Sequence, residues 1–361
     1  MRAAVLNAIP ADLDIEDIEL DGPGPREVLV RTVAAGVCHS DLHFVEGKYR
    51  TATPTVMGHE SAGVVEAVGD QVDHVAPGDH VIACLSLFCG QCEYCLSGQP
   101  FLCARSGLRR PAEGRPRLSR GGTPVGQFAD LGGYAEAMLV HQNAVVKIRP
   151  DMPLDRAALI GCGVTTGLGA VFRTAAVEPG ETVAVVGCGG IGLNCVQGAF
   201  IAGASRIVAV DVVPSKLELA RQFGATDLVD ASEGDPVARV QELTGGGVHH
   251  AFEAIGLAQT AAQAFAMARR GGSATIIGMI PLGEQVTLPG AQFLSGKRIQ
   301  GSVMGSNRFR VDMPRYVELY MQGRLKLDEL ISARIELGKI NDAFAAMKAG
   351  SVARSVIVFD Q

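Results

Sequence analysis

The chain has 361 residues, of which 47% are hydrophobic and 19% charged, and its formal net charge is −6 at pH 7. This length favours two domains that each bury their own core, and the composition excludes a disordered or fibrous protein. The acidic balance argues against binding of a nucleic-acid backbone as the main function.

Short β-type runs separated by glycine and proline fill the first part of the chain. They are REVLVRTVAAG, SAGVVEAVG, GDHVIAC, YAEAMLV and AVVKI. These runs predict a mainly β body with long excursions. The arginine-dense stretch RSGLRRPAEGRPRLSRGG is expected to be a solvated surface loop rather than an anion site. The first residues, MRAAVLNAIPADLD, lack the long apolar core of a signal peptide, so we expect a cytoplasmic protein and no membrane partner.

A group of four cysteines stands out within residues 89–103, where they follow the spacing C-x2-C-x2-C-x7-C. Four thiolates complete the tetrahedral shell of a structural Zn²⁺ and leave no open position. An iron–sulfur cluster is a weaker alternative, because the spacing departs from the usual ferredoxin runs. Disulfides or unrelated core cysteines explain the regular spacing less well. The four residues are Cys89, Cys92, Cys95 and Cys103.

Two further cysteines and a histidine are spread along the chain, each beside small residues. Cys38 lies in GVCHSDLH, His59 in MGHE and Cys162 in GCGVTTG. Taken singly, a buried cysteine is usually a core residue and a histidine usually a surface one. Two thiolates and one imidazole together leave a fourth position for water or substrate, which is typical of a catalytic zinc.

From about Glu181 the pattern changes to alternating strands and helices. The strand-like runs are TVAVVG, RIVAVD, ATDLVD, HHAFEAIG and SATIIGMI, each followed by a helical segment except the last. Buried apolar strands that alternate with amphipathic helices predict a parallel, doubly wound sheet. Residues 182–205 carry no charge, but their glycines favour a buried strand, a turn and a packed helix over a membrane span.

A glycine-rich motif stands at the first strand-to-helix junction and predicts a dinucleotide site. The motif is Gly187-Cys188-Gly189-Gly190-Ile191-Gly192. Such a turn lets a pyrophosphate approach the backbone at a helix N-terminus. Asp211 ends the next strand, and its carboxylate would accept ribose hydroxyls but repel a 2′-phosphate, which favours NAD over NADP. A glycine-rich turn of some other α/β protein is the alternative.

Taken together, these pieces resemble the zinc-dependent medium-chain alcohol dehydrogenases over essentially the whole chain. The matching stretches are GVCHSDLH, MGHESAGVVEAVG, GDHVI, CGQCEYC with Cys103, GCGVTTG, GCGGIG, AVD with Lys216, and VARSVIVF. The resemblance implies an α/β fold with a Rossmann domain at 161–302. A mainly β, GroES-like catalytic domain would span 1–160, including the zinc lobe at 89–103, and the chain would return to it at 303–361.

The same resemblance assigns roles around two zinc ions per chain, one catalytic and one structural. Cys38, His59 and Cys162 would hold the catalytic ion, with Glu60 just behind it as a further ligand candidate. Because two cysteines and a histidine are the ligand set that alcohol dehydrogenases use, this assignment depends on the resemblance. Asp41 would orient His59 as its hydrogen-bond partner.

Proton and cofactor contacts also follow from the resemblance. Ser40 would hydrogen-bond the substrate hydroxyl, and His43 would carry the proton towards solvent. Zinc would act as a Lewis acid that stabilises an alkoxide, from which hydride passes to NAD. The remaining cofactor contacts would come from His39, Thr166, Lys216 and Arg354.

The expected activity is reversible hydride transfer between a primary or secondary alcohol and NAD. Cys162 favours simple alcohols, since polyol dehydrogenases of the superfamily typically carry a carboxylate there. Gly107 replaces an arginine expected in enzymes that oxidise the glutathione adduct of formaldehyde, although Arg105 is nearby. The alternatives are that thiol-adduct formaldehyde dehydrogenase, a nicotinoprotein with permanently bound NAD, and a non-catalytic member of the superfamily.

The resemblance further implies a homo-oligomer. Its subunit contact would involve residues 273–277 and the following SGKRIQGSVMG segment. Because the long loop after Cys103 is kept, a dimer is favoured and a tetramer is the alternative.

Overall fold

A computed structural model describes residues 1–104, 107–111, 114–349 and 354–359. Arg105 therefore lies outside the described residues. The chain divides into two compact units, one made of Met1–Gly163 with Arg308–Gln361 and the other of Val164–Asn307.

Strands predominate up to about residue 150, and strands and helices alternate between residues 182 and 276. The strands are β1 (Arg2–Leu6), β2 (Asp14–Asp17), β3 (Glu19–Leu20), β4 (Glu27–Gly36), β5 (Thr55–Val56), β6 (Ser61–Val68), β7 (His80–Ala83), β8 (Leu118–Arg120), β9 (Thr123–Gln127), β10 (Ala137–His141), β11 (Val145–Lys147), β12 (Thr182–Val186), β13 (Arg206–Asp211), β14 (Asp227–Asp230), β15 (Val248–Glu253), β16 (Ala268–Ile276), β17 (Arg298–Gly301), β18 (Ile331–Ile335) and β19 (Arg354–Val358). The α-helices are α1 (His39–Val45), α2 (Glu93–Leu96), α3 (Leu154–Leu159), α4 (Thr165–Gly169), α5 (Gly190–Ala202), α6 (Pro214–Gln222), α7 (Pro236–Thr244), α8 (Ala258–Met267), α9 (Phe309–Met321) and α10 (Ile340–Lys348).

The first unit is built on two sheets, as the β-type runs predict. One has the order β2-β1-β5-β9-β8-β3, and the other has the order β11-β7-β6-β4-β19-β18 with β10 also paired to β4. Strand β4 is central to the second sheet because it pairs with β6, β10 and β19. Its buried valines pack with those of β6, β7 and β10 into one apolar cluster.

The second unit contains the parallel sheet that the sequence predicts. Its strand order is β14-β13-β12-β15-β16-β17, and every neighbouring pair is parallel. Counted from β12, this is the order 3-2-1-4-5-6 of the Rossmann fold, in which a dinucleotide binds where the strand order reverses. The α/β fold class is therefore confirmed.

Two apolar stretches that could suggest a membrane span are core elements of the fold. The uncharged residues 182–205 form β12 and α5, as predicted. The helical run Leu154–Ala175 has the length and hydropathy to cross a membrane, but 83% of its most apolar window is buried in the protein. This burial is expected of a core helix.

The arginine-dense loop differs from the prediction of a solvated surface segment. Arg117 is buried and its Nε donates to Oε1 of the buried Glu27 at 2.7 Å. Arg110 donates to Glu27 at 3.0 Å and to Asp21 at 2.6 Å. The prediction was wrong for these arginines because their carboxylate partners lie on or before β4, far away in sequence. Arg109, in contrast, has a side chain that is 71% exposed.

Candidate active site and cofactor site

The scattered cysteines and histidine come together in the first unit. Strands β4 and β6 are antiparallel neighbours, with Ala35 opposite Ser61, so the residues just beyond these positions, Cys38 and His59, meet at one end of the pair. Cys162 lies in the π-helical segment Ile160–Val164, and such segments are frequent at functional sites. The three ligand atoms are buried and lie within 4.8 Å of one another.

Both groups of ligands have dimensions that fit zinc. In the lobe, Sγ of Cys92 lies 3.5 Å from that of Cys95 and 3.8 Å from that of Cys103, and the Cys89–Cys95 distance is 4.0 Å. A tetrahedron with Zn–S bonds of about 2.3 Å has edges of about 3.8 Å. In the buried cluster, His59 Nε2 lies 3.3 Å from Cys162 Sγ. The first group closes a four-sulfur shell, whereas the second supplies three protein ligands.

A buried carboxylate and a tyrosine lie behind the histidine. Asp41 Oδ2 is 3.1 Å from Nδ1 of His59, so Nε2 is the nitrogen that faces the cluster. Asp41 also accepts a hydrogen bond from the Gly58 backbone N–H at 3.1 Å and one from the Tyr134 hydroxyl at 2.9 Å. Phe128 packs edge-on against the His59 ring at 5.6 Å. Sequence reasoning missed Tyr134 and Phe128, because no motif marks either residue.

An ion pair lies beside the cluster. Arg354 Nη1 is 3.1 Å from Oε2 of Glu60, and both side chains are buried. Burial raises the pKa of Glu60 to about 7, although the neighbouring Arg354 opposes the shift. The contact with Cys162, aided by Arg354 and His59, holds the pKa of Cys38 well below its usual range despite burial. A cysteine thiolate is therefore favoured in the cluster, which is the form that binds metal.

Helix α1 carries the residues expected to handle the proton. It begins at His39, which is exposed, and continues through Ser40 and His43, which are both half-buried. Nδ1 of His43 is buried and has no hydrogen-bond partner among the described residues. Burial, with a contribution from Lys48, lowers the pKa of His43. The imidazole is thus neutral near pH 7 and able to accept a proton.

In the second unit, the glycine motif forms a turn with space for a ligand. Gly187 adopts a φ of +94°, a conformation that favours glycine. A Cβ on Gly192 would lie 1.7 Å from the Gly187 carbonyl oxygen. The first turn of α5 therefore packs too closely against the glycine turn for any side chain at position 192. A Cβ on Gly189 would meet no protein atom within 4 Å. This open space at the N-terminus of α5 fits a pyrophosphate.

Asp211 has a second role that the sequence did not reveal. Its carboxylate accepts hydrogen bonds from the backbone N–H groups of Cys188 at 2.7 Å, Val212 at 2.8 Å and Val213 at 3.0 Å. Since a carboxylate offers about four acceptor positions, these three bonds leave a position that could accept a hydrogen bond from a ribose hydroxyl. Asp211 therefore holds the glycine turn to the end of β13.

The other predicted cofactor residues are divided between the units. Thr166 is buried in α4 and its hydroxyl contacts Met304 Sδ at 3.4 Å, and Lys216 lies half-buried in α6, so both belong to the second unit. His39 and Arg354 belong to the first unit.

Replacement of Gly189 by alanine tests the pyrophosphate site. We expect Gly189→Ala to leave the thermal midpoint unchanged, because the methyl group meets no protein atom within 4 Å. The NADH affinity of Gly189→Ala should fall by about 5- to 150-fold, because a methyl group inserted into a closely packed site costs about 1–3 kcal/mol. Fluorescence titration with NADH measures this. Gly338→Ala, at another position with open space around the Cβ, is the control and should bind NADH normally. Equal affinities for the two variants would contradict the site.

Comparison with known proteins finds two matching family models and relatives that match the full length of the chain. The alcohol dehydrogenase GroES-like domain model matches residues 24–150, and the zinc-binding dehydrogenase model matches residues 190–320. The chain is 40% identical over 367 residues to an S-(hydroxymethyl)glutathione dehydrogenase of Haemophilus influenzae, covering 99% of this chain and 96% of the relative. It is 38% identical over 368 residues to an alcohol dehydrogenase class-3 of Zea mays, with the same coverage.

A solved structure agrees with these matches. The crystal structure of benzyl alcohol dehydrogenase from Acinetobacter calcoaceticus superposes with a TM-score of 0.94 at 33% identity and covers 99% of each chain. The two zinc-binding groups, the glycine turn and these full-length matches make the chain a member of the zinc-dependent, NAD-linked medium-chain alcohol dehydrogenase family.

Proposed function

We propose that the chain oxidises the hydroxymethyl adduct of a thiol, of the S-(hydroxymethyl)glutathione class, with NAD as the hydride acceptor. The observation that carries this proposal is the buried Cys38–His59–Cys162 group in a chain that is 40% identical over its whole length to an enzyme of that name. The sequence motifs favour a simple primary or secondary alcohol, with this thiol adduct as an alternative. The reaction converts a primary alcohol carbon bonded to sulfur into a formyl thioester, and releases NADH and a proton.

Zinc, when held by Cys38, His59 and Cys162, would supply Lewis-acid chemistry at the substrate hydroxyl, and NAD would accept the hydride. The chain itself handles the proton. Ser40 and His43 are three residues apart on α1 and so share one face of that helix. The Ser40 hydroxyl is proposed to accept the substrate proton and pass one to His43. Because burial keeps His43 neutral, it accepts that proton and releases it to solvent.

We also propose which segments of the chain form the catalytic domain and which form the NAD-binding domain. Residues 1–160 and 303–361 would form the catalytic domain, and residues 161–302 would hold NAD through the glycine turn and Asp211. His39 and Arg354 are proposed to contact the pyrophosphate, Thr166 the nicotinamide and Lys216 the ribose.

An uncharged primary alcohol of the benzyl type is the second candidate substrate. The similarity to benzyl alcohol dehydrogenase favours it. So does Gly107, an exposed residue without a side chain at the position where an arginine is expected for a glutathione adduct. The same ligands and proton path would serve either alcohol, so the choice depends on recognition of the substrate's distal part.

A substrate panel tests the proposal. Zinc-loaded protein is assayed for NADH formation with formaldehyde plus glutathione, with formaldehyde alone and with benzyl alcohol, each with NAD and with NADP. We expect kcat/KM to be highest for formaldehyde plus glutathione with NAD. A preference for benzyl alcohol would support the second candidate, and no turnover with any alcohol would overturn both. Cofactor absorbance that survives gel filtration would indicate a nicotinoprotein.

We further propose a cytoplasmic homodimer, with a tetramer as the alternative. Val303, in the SGKRIQGSVMG segment, is 51% exposed, and Leu294, directly before that segment, is 92% exposed. Exposed apolar side chains that form a contiguous patch are typical of an interface between subunits. Light scattering of the zinc-loaded protein measures the mass, and a monomer would contradict the proposal.

A further inference from the structure

We propose that Tyr134 is a positioning residue for the catalytic metal, because its hydroxyl joins the backbone of one ligand to the carboxylate that orients another. The inference rests on the proposed role of Cys38, His59 and Cys162 as the zinc ligands. Tyr134 does not touch the reacting atoms and would act entirely through these neighbours.

The contacts of the hydroxyl define this role. It donates to Asp41 Oδ2 at 2.9 Å and accepts from the Cys38 backbone N–H at 3.4 Å, while the Gly36 carbonyl oxygen lies 3.3 Å away. Asp41 Oδ2 is also the oxygen that lies 3.1 Å from Nδ1 of His59. The Tyr134 hydroxyl therefore contacts the backbone of one ligand, Cys38, and is linked to a second, His59, through the Asp41 carboxylate.

Backbone hydrogen bonds and packing of the ring, rather than the hydroxyl, set the position of the Tyr134 side chain. The Tyr134 backbone N–H donates to the Met57 carbonyl at 2.8 Å, and its carbonyl accepts from the Ala4 N–H at 2.8 Å. The ring packs directly over Gly58, where a Cβ would lie 2.5 Å from it. Tyr134 is fully buried. Since phenylalanine has the same ring, Tyr134→Phe removes the hydroxyl without removing this packing.

Loss of the hydroxyl would leave two buried polar groups with fewer partners. The Cys38 N–H would lose an acceptor, and Asp41 Oδ2 would keep, among the described residues, only its contact with His59. A buried polar group that loses its partner carries the full cost of its desolvation, so an arrangement that restores a partner becomes favoured. We expect the His59 ring and the Cys38 backbone to lose their defined positions, which would weaken a site that needs both. Removal of such an outer partner typically costs 10–100-fold in metal affinity.

A matched control is available in α9. The Tyr320 hydroxyl donates to Asp328 Oδ2 at 2.9 Å, the same kind of bond at the same length, in a more exposed setting. Tyr320→Phe thus removes a tyrosine–carboxylate hydrogen bond that has no role in the proposed site. Both variants are prepared as full-length protein, with wild type alongside.

The test measures metal binding in addition to activity. The affinity for the zinc ion that Cys38→Ser eliminates is determined by chelator competition, and the visible spectrum of the Co²⁺-substituted protein reports the ligand geometry. For Tyr134→Phe we expect about 10–100-fold weaker zinc binding and an altered Co²⁺ spectrum. Tyr320→Phe should match wild type in both. The thermal midpoint of the metal-free protein shows whether Tyr134→Phe folds.

Each outcome has a distinct meaning. If Tyr134→Phe folds and equals wild type in zinc affinity and Co²⁺ spectrum, the inference is overturned while the proposed zinc site stands. If wild type itself binds no zinc that depends on Cys38, the proposed site fails first. Should Tyr134→Phe fail to fold, Asp41→Asn is measured instead, and a zinc affinity equal to that of wild type would refute the proposed link from Tyr134 through Asp41 to His59.

Discussion

Cys38→Ser is expected to lower NAD-dependent alcohol oxidation by about 10³-fold or more and to leave NADH affinity unchanged. The buried cluster supplies three ligand atoms, and a hydroxyl in place of one thiolate is a poor zinc ligand. A Lewis acid contributes several kcal/mol to the transition state, and each 1.4 kcal/mol corresponds to about a factor of ten in rate. The glycine turn lies in the other unit, so NADH binding should persist.

The measurement combines steady-state kinetics, zinc analysis and NADH titration. Wild type should contain two zinc ions per chain, and Cys38→Ser should contain one, held by the four cysteines of the lobe. Cys84→Ser is a suitable control because Cys84 is also buried in the first unit but belongs to neither ligand group. Unchanged turnover in Cys38→Ser, together with two zinc ions, would refute the assignment of the catalytic site.

Glu27→Ala is expected to destabilise the first unit by about 3–5 kcal/mol, which is the usual cost of removing one partner from a buried ion pair. Glu27 is only 5% exposed and accepts from Arg117 at 2.7 Å and from Arg110 at 3.0 Å. It also accepts from the Gly24 backbone N–H at 2.8 Å. Among the described residues, the substitution would leave the buried Arg117 guanidinium without a carboxylate partner, whereas Arg110 would keep Asp21.

The effect should depend on pH with a definite sign. Burial opposes ionisation of Glu27, but Arg110 and Arg117 outweigh it and hold the pKa of the carboxyl below its ordinary value of 4.5. A lowered pKa in the folded state contributes stability above the unfolded-state pKa. The advantage of wild type over Glu27→Ala is therefore complete above a pH of about 4.5 and declines as the pH falls through the lowered pKa.

Urea unfolding of the zinc-loaded protein at several pH values measures this difference. Glu242→Ala is the control, because Glu242 pairs with Arg239 on the surface of α7 and both side chains are more than half exposed. Exposed pairs of this kind contribute little to stability, so its unfolding midpoint should match wild type. If Glu27→Ala also matched wild type at neutral pH, the buried ion pairs would have no stabilising role.

Local features of the chain were predictable because their partners are close in sequence. The four cysteines of the lobe lie within residues 89–103, so their spacing alone indicates a closed metal shell. The glycine turn and Asp211 belong to successive strands of one repeating pattern, which also predicts the parallel sheet. The cluster of Cys38, His59 and Cys162 followed from the resemblance to a family, since no local rule joins His59 to a cysteine 103 residues later.

Only the tertiary structure shows which side chains far apart in the sequence contact one another. Arg117 and Glu27 are 90 residues apart, and Tyr134 and Asp41 are 93 apart. The sequence of an arginine-rich loop, or of a single tyrosine, does not reveal whether its polar atoms face water or a buried carboxylate. Sheet pairing brings these groups together, and burial makes each partner necessary, because a polar group removed from water must find another hydrogen bond. The sequence by itself therefore determined the fold class and the ligand types, whereas the fold determined which residues support them.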